Sequence, residues 1–104
     1  MDFTEEIYRL TQALPKDELY GLTGQLRRAA VSIPSNIAEG HGRSTNREFC
    51  TFLSYARGSA CEAATQLMLC VRLGYLHQEQ VQTAASLINE IESMLNVFIT
   101  KLTD

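Results

Sequence analysis

Apolar residues recur three and four positions apart along nearly the whole chain, and prolines and glycines cut that pattern into four runs. At 3.6 residues per turn this spacing gathers side chains onto one face of an α-helix, whereas a strand would need strict alternation. No stretch alternates over five or more positions between turn signals. The first run, Phe3, Ile7, Leu10 and Leu14, meets Pro15, which has no N–H and disfavours helical geometry at Leu14. The second starts near Pro15 and carries Leu19, Leu22, Leu26, Ala29, Ile33 and Ile37 before Gly40-His41-Gly42. The third opens on a capping box, Thr45 with Glu48, and ends near Gly74. The fourth is a heptad seam of Ala84, Ile88, Ile91, Leu95, Phe98 and Leu102. Short connections at 15, 40–44 and 74–78 suit neighbouring helices that reverse direction. The expected fold is all-α, an antiparallel up-down four-helix bundle filling residues 1–104 as a single domain.

Composition narrows the class of function. With 45% hydrophobic and 20% charged residues, the chain has the balance of a folded domain and not of a disordered one. Its net charge of −3 excludes a chain-wide basic field of the kind that drives non-specific nucleic-acid binding. No apolar run is long enough to span a bilayer, and Met1-Asp2-Phe3-Thr4-Glu5-Glu6 is acidic where a signal peptide would be basic and then apolar. Three cysteines without CxxC spacing suggest free thiols in a reducing compartment. A cytoplasmic location without membrane contact is expected.

Helix three is apolar almost all round from Leu67 to Leu73. At about 100° per residue, Leu69, Leu73 and Leu76 make a second stripe opposite the core-facing one. A helix with two apolar faces in so small a bundle points to a second subunit as the partner. Pro34, inside helix two, is expected to kink it by removing one hydrogen bond and pressing on the Ala30 carbonyl. Ser32, Ser35 and Asn36 are at hand to satisfy the freed groups or to form a polar notch.

Charge is unevenly spread. Between residues 27 and 57, Arg27, Arg28, Arg43, Arg47 and Arg57 stand against Glu39 and Glu48, a net of +3 that leaves −6 elsewhere. That basic middle is either a surface for RNA or a solvated face in which the glutamates pair with some arginines. The loop from Gly40 to Arg47 runs into a helix N-terminus, which favours anions, but it lacks the Walker pattern. Di-iron chemistry would need Glu-x-x-His pairs, and Ala38 and Gly74 stand three residues before His41 and His77. Cys50, Cys61 and Cys70 are too far apart along one helix to share a zinc and read as small buried hydrophobes. No cofactor is expected. One catalytic pattern remains: Arg72 and His77 resemble the R-x4-H motif of the HEPN ribonucleases. That resemblance would make His77 an acid–base group and Arg72 a stabiliser of phosphate charge, although Leu73 and Gly74 depart from the pattern.

A longer string is more specific: Tyr20-Gly21-Leu22-Thr23, then Gln25-Leu26-Arg27-Arg28-Ala29-Ala30, then Ser32-Ile33-Pro34-Ser35-Asn36-Ile37-Ala38-Glu39-Gly40. With Arg43, Phe49, Phe52-Leu53, Ala56, Gly58-Ser59, Glu62 and Leu73-Gly74-Tyr75, it resembles the four-helix-bundle proteins encoded in bacterial 23S rRNA intervening sequences. The resemblance spans about residues 7–102 and implies a homopentamer around a central channel. It also implies kinship with the accessory variability determinant of diversity-generating retroelements, whose basic surface binds nucleic acid and a reverse transcriptase. It implies no enzymatic activity and no catalytic residue; Arg27, Arg28 and Arg43 fall on the motif. Two departures stand out. The family's first helix is usually longer, so this chain either exposes part of its core or has a different start site, and its pI is near 5.3. Five copies would carry −15, which sets the composition against nucleic-acid binding. The expected role is a non-enzymatic, homo-oligomeric scaffold or adaptor, pentameric, whose partners are itself and an RNA or RNA-associated protein. Leu69, Leu73 and Leu76 are its expected interface, and RNA binding through the five arginines is the second reading.

Overall fold

The computed structural model describes residues 1–103. It holds four α-helices: α1 (Asp2–Thr11), α2 (Leu22–His41), α3 (Asn46–Arg72) and α4 (Gln82–Thr103). A 3₁₀ turn, Lys16–Glu18, precedes α2, and no strand occurs among the described residues. The arrangement is consistent with a four-helix bundle. Helix α1 packs on α2 and α4, and α3 packs on α2 and α4, so the α1–α4 pair lies across the molecule from the α2–α3 pair. Ile7, Leu26, Leu53 and Cys70 are its most deeply buried large side chains, one from each of α1 and α2 and two from α3.

The first two boundaries differ from the sequence expectation. Helix α1 stops at Thr11, short of Leu14, because the turn tightens ahead of Pro15. The Ala13 and Leu14 N–H groups donate to Leu10 and Thr11, three residues back, and Leu14 still reaches the core. Pro15 then opens only the 3₁₀ turn, and α2 begins at Leu22 after Gly21. The Glu18 carboxylate takes the Leu22 N–H at 3.2 Å, acting as the cap the backbone lacks. Leu19 is left 48% exposed, off the stripe on which periodicity placed it.

Pro34 sits inside α2, and its missing N–H leaves the Ala30 carbonyl without its usual partner. The Thr4 hydroxyl of α1 donates to that carbonyl at 3.1 Å. Ser32 and Asn36 do other work: the Asn36 amide donates to the Ser32 carbonyl and hydroxyl oxygens, both at 2.8 Å, and the Ser59 hydroxyl of α3 donates to Ser32 Oγ at 2.9 Å. Nearer its end, α2 approaches α3 through Gly40. A Cβ there would lie 2.7 Å from Phe52 Cβ and 2.9 Å from Phe49 Cδ1, so only glycine fits without movement.

Helix α3 starts as its capping box prescribes, with the Glu48 N–H donating to Thr45 Oγ1 at 3.1 Å. It ends in a Schellman motif. Gly74 takes φ +81°, its N–H donates to Val71, and the Tyr75 N–H donates to Cys70. This turn corrects the proposed second stripe. Helical geometry ends at Arg72, so the angle extrapolated from Leu69 to Leu76 does not hold, and Leu76 turns into the core at 3% exposure. Leu69 and Leu73 do face solvent.

Along α4, Ala84, Ile88 and Leu95 are buried and Ile91 and Leu102 half-buried, whereas Phe98 is exposed. Met1 borders the same depression as Met94 and Leu95, so α1 begins at that level and gives Phe98 nothing to pack on. Its ring instead leans on Phe49, centroids 6.2 Å apart. No helix among the described residues is long and apolar enough to cross a membrane.

Candidate functional site

The five arginines of the basic middle do not converge. Arg27 and Arg28 lie near the start of α2 and Arg43 just beyond its end, about 20 Å of helix apart. Three of them are engaged within the chain. Arg27 Nε donates to Thr11 Oγ1 at 2.8 Å, and its guanidinium stacks 4.7 Å from the Tyr8 ring centre, tying α2 to α1. Arg43 pairs with Glu39 at 2.7 Å and lies over the Phe52 ring. Arg57 donates to Asn96 Oδ1 at 3.0 Å, on the side of α3 that faces α4. Arg28 and Arg47 have no ion-pair partner among the described residues.

The Arg72–His77 pattern is divided by the Gly74 turn. Arg72 closes α3, while His77 lies beyond the turn with its backbone N–H donating to Gln80 Oε1 at 2.7 Å. The cysteines also depart from expectation. Cys70 is buried, but Cys50 is only half-buried and Cys61 is exposed, because the core stripe of α3 passes through positions 53, 56, 60, 63, 67 and 70. Burial, with the nearby Glu18 carboxylate, pushes the Cys70 thiol up to about 11.

Two contacts here have no local sequence signal. Tyr75 O–H donates to the second oxygen of Glu18 at 2.8 Å, so one carboxylate both starts α2 and fastens the α3–α4 connection to it. That bond to a carboxylate holds the Tyr75 hydroxyl above its usual range. Thr4, bonded to the Ala30 carbonyl, is the second.

Exposed apolar surface gathers at two places, Met94, Val97 and Phe98 on α4 and the far end of α3. Met68, Leu69 and Leu73 are 63%, 44% and 57% exposed. Beside them, a groove of about 370 Å³ opens between α3 and α4, floored by Leu67, Val71, Val81 and Ile88. Met68 and Arg72 stand on its edge with Gln78 and Asn89. Here the arrangement offers an apolar contact surface with a polar rim.

Comparison with known proteins places this geometry. No curated protein matches the sequence. Among solved structures, the chain is similar to a protein of unknown function from the S23 ribosomal protein family of Bacteroides thetaiotaomicron VPI-5482. The two share 26% identity and superpose with a TM-score of 0.86 over 94% of this chain and 92% of that one. The family model for the 23S rRNA-intervening sequence protein matches residues 1–97. The match takes in the whole string from Tyr20 to Gly40 that carries the resemblance, and the chain belongs to the 23S rRNA-intervening sequence protein family.

Proposed function

We propose that the protein is a non-enzymatic, cytoplasmic scaffold or adaptor that works as a homo-oligomer, a pentamer in the first instance. The exposed Met68, Leu69 and Leu73 at the end of α3, the first of them lining the α3–α4 groove, carry this reading. A monomer gains nothing by leaving three large apolar side chains in water at one helix end, and covering them removes that cost at about 25 cal/mol per Å². The same reading takes the bundle as antiparallel and up-down, with α2 kinked at Pro34. Cross-helix partners in descending order support it: Gln25 meets Gln66 and Ser32 meets Ser59, while Arg57 meets Asn96 and Cys61 meets Glu92.

Nucleic-acid binding is the second reading, supported by the unpaired Arg28 and Arg47 and by the proposed kinship with the retroelement proteins. One experiment addresses both. Native mass spectrometry of protein purified without nuclease is expected to give a species of about 58 kDa, five times 11.6 kDa. Leu69→Glu and Leu73→Glu are each expected to reduce it to monomer with helicity intact. An unchanged mass in both variants rejects the patch as the interface. RNA carried with the wild type, and lost as salt is raised, would put the second reading first.

A further inference from the structure

The α3–α4 groove exists because two of the positions that line it, Ala64 on α3 and Ala85 on α4, carry only a methyl group. Beneath them the floor is the outer side of the core, where Leu67, Val81 and Ile88 are buried. Arg72 is the one charged residue among those lining the groove, in a chain whose net charge is −3. It is exposed and has no ion pair among the described residues. Its backbone is fixed at the last position of α3, where the Leu73 N–H donates to Leu69 and the Gly74 N–H to Val71. Helix α4 starts at Gln82, so its positive end lies at the same end of the groove. The carbonyl end of α3 there carries about half a negative charge, which the two positive groups outweigh. At the other end the groove is closed. One turn beyond Ala64 and Asn89, the Cys61 thiol lies 3.9 Å from the Glu92 carboxylate, across the gap between the helices. From Ala64 to Arg72 is about 12 Å of helix.

We propose that the α3–α4 groove binds a small free carboxylic acid with an apolar body, its tail over Leu67, Val81 and Ile88 and its carboxylate against Arg72. At about 370 Å³ the groove has the size of a small-molecule site, and it has the character of one, apolar with a few polar groups at the edge. Closure by the Cys61–Glu92 contact suits a molecule that lies within the groove better than a helix that runs through it. Charge sets the orientation: the acid end at Arg72, the apolar end toward Ala64 and so toward the Glu92 carboxylate, which would repel an anion. The guanidinium makes a charge-assisted pair with the carboxylate, and the Gln78 amide on the rim is a further donor. One arginine balances one negative charge, which favours a carboxylate over a phosphate dianion. The site is separate from the scaffold surface proposed above. Leu69 and Leu73 do not line the groove. Leu69 stands three residues after Gln66, whose amide donates to Gln25 of α2, and so belongs to the side of α3 turned from α4.

Decanoate, titrated below its micelle concentration, is the probe, with decanol and decyltrimethylammonium as its neutral and cationic counterparts. Calorimetry is expected to give one decanoate per chain, and methyl NMR to shift Met68, Val71, Val81 and Ile88. Arg72→Gln is expected to weaken decanoate about tenfold, the worth of a hydrogen bond to a charged group, and to leave decanol unchanged. Ala85→Leu, at an exposed position that leaves the core untouched, is expected to weaken both by filling the groove. Circular dichroism checks the fold of each variant, and Ala85→Met replaces Ala85→Leu if helicity is lost. Absence of decanoate binding overturns the proposal, as does binding that is indifferent to both variants or matched by decyltrimethylammonium. Shifts at Met94 and Val97 in place of the groove methyls overturn it as well. Leu69→Glu is expected to bind decanoate like wild type whatever its oligomeric state. Loss of binding there would put the ligand on the Leu69–Leu73 surface and end the proposal, whereas a monomeric wild type that binds decanoate removes the scaffold reading and leaves this one standing.

Discussion

Helix α1 and the α2–α3 pair are held in place by different kinds of contact. Helix α1 is ten residues long and presents Phe3, Ile7 and Leu10 to the core, all nearly inaccessible to solvent. Its hold is bulk apolar volume, to which two polar bonds add direction: Thr4 to the Ala30 carbonyl and Arg27 to Thr11. The α2–α3 pair relies on small residues at close range. Gly40 lies against Phe49 and Phe52, Ala56, Ala60 and Ala63 are fully buried, and Ser32 meets Ser59. Volume can be supplied by many side chains, whereas a close approach admits only the smallest. The string from Tyr20 to Gly40 that carries the resemblance holds one of these close approaches, at Gly40, and one of the serine contacts, at Ser32.

The contrast breaks most sharply at Ile7, which is fully buried. Ile7→Ala should lower stability by about 3 kcal/mol, the transfer term plus the cavity left behind. Ile7→Leu conserves volume and should cost less than about 1.5 kcal/mol. Urea denaturation followed by circular dichroism measures both. If the two cost the same, α1 is held by shape and not by volume, and the distinction from α2–α3 disappears.

Glycine-to-alanine changes sharpen the other half. At Gly40 the new Cβ meets Phe52 Cβ at 2.7 Å, so overpacking should destabilise by about 2 kcal/mol despite alanine's better helix propensity. At Gly58, on α3, a Cβ meets nothing within 4 Å. There the same change should stabilise by about 0.5–1 kcal/mol through propensity alone. Opposite signs in thermal melts of the two variants are the expected result. A stabilised Gly40→Ala would show that the α2–α3 approach has slack.

What the sequence discloses and what it hides divide along similar lines. The Thr45 cap, the Gly74 turn and the buried run of α3 depend on residues a few positions apart, so periodicity and turn chemistry find them. Periodicity misplaces Leu76 because the helix pattern does not continue across Gly74, which ends the helix. The split of the arginines depends on partners brought by other helices, as with Arg57 on Asn96, thirty-nine positions away. Glu18 and Tyr75 are fifty-seven positions apart, and nothing local marks either as the partner of the other. That Arg28 and Arg47 have no ion pair among the described residues likewise emerges only once helices are side by side.

The smallest expected loss, a few tenths of a kcal/mol, belongs to Thr4 once Pro34 is removed. Proline at 34 leaves the Ala30 carbonyl open, and the Thr4 hydroxyl fills that vacancy from the neighbouring helix. Thr4→Val keeps the side-chain shape, removes the donor and should cost about 1 kcal/mol, the net worth of one hydrogen bond to a partly buried carbonyl. In a Pro34→Ala background the restored backbone N–H can return to Ala30, so the Thr4 hydroxyl becomes dispensable. The loss on Thr4→Val should then shrink to a few tenths of a kcal/mol, and the difference is the coupling energy of a double-mutant cycle. Equal losses in both backgrounds would mean that Thr4 acts only through its packing on α2. The vacancy created by the proline would then be met by something other than the first helix.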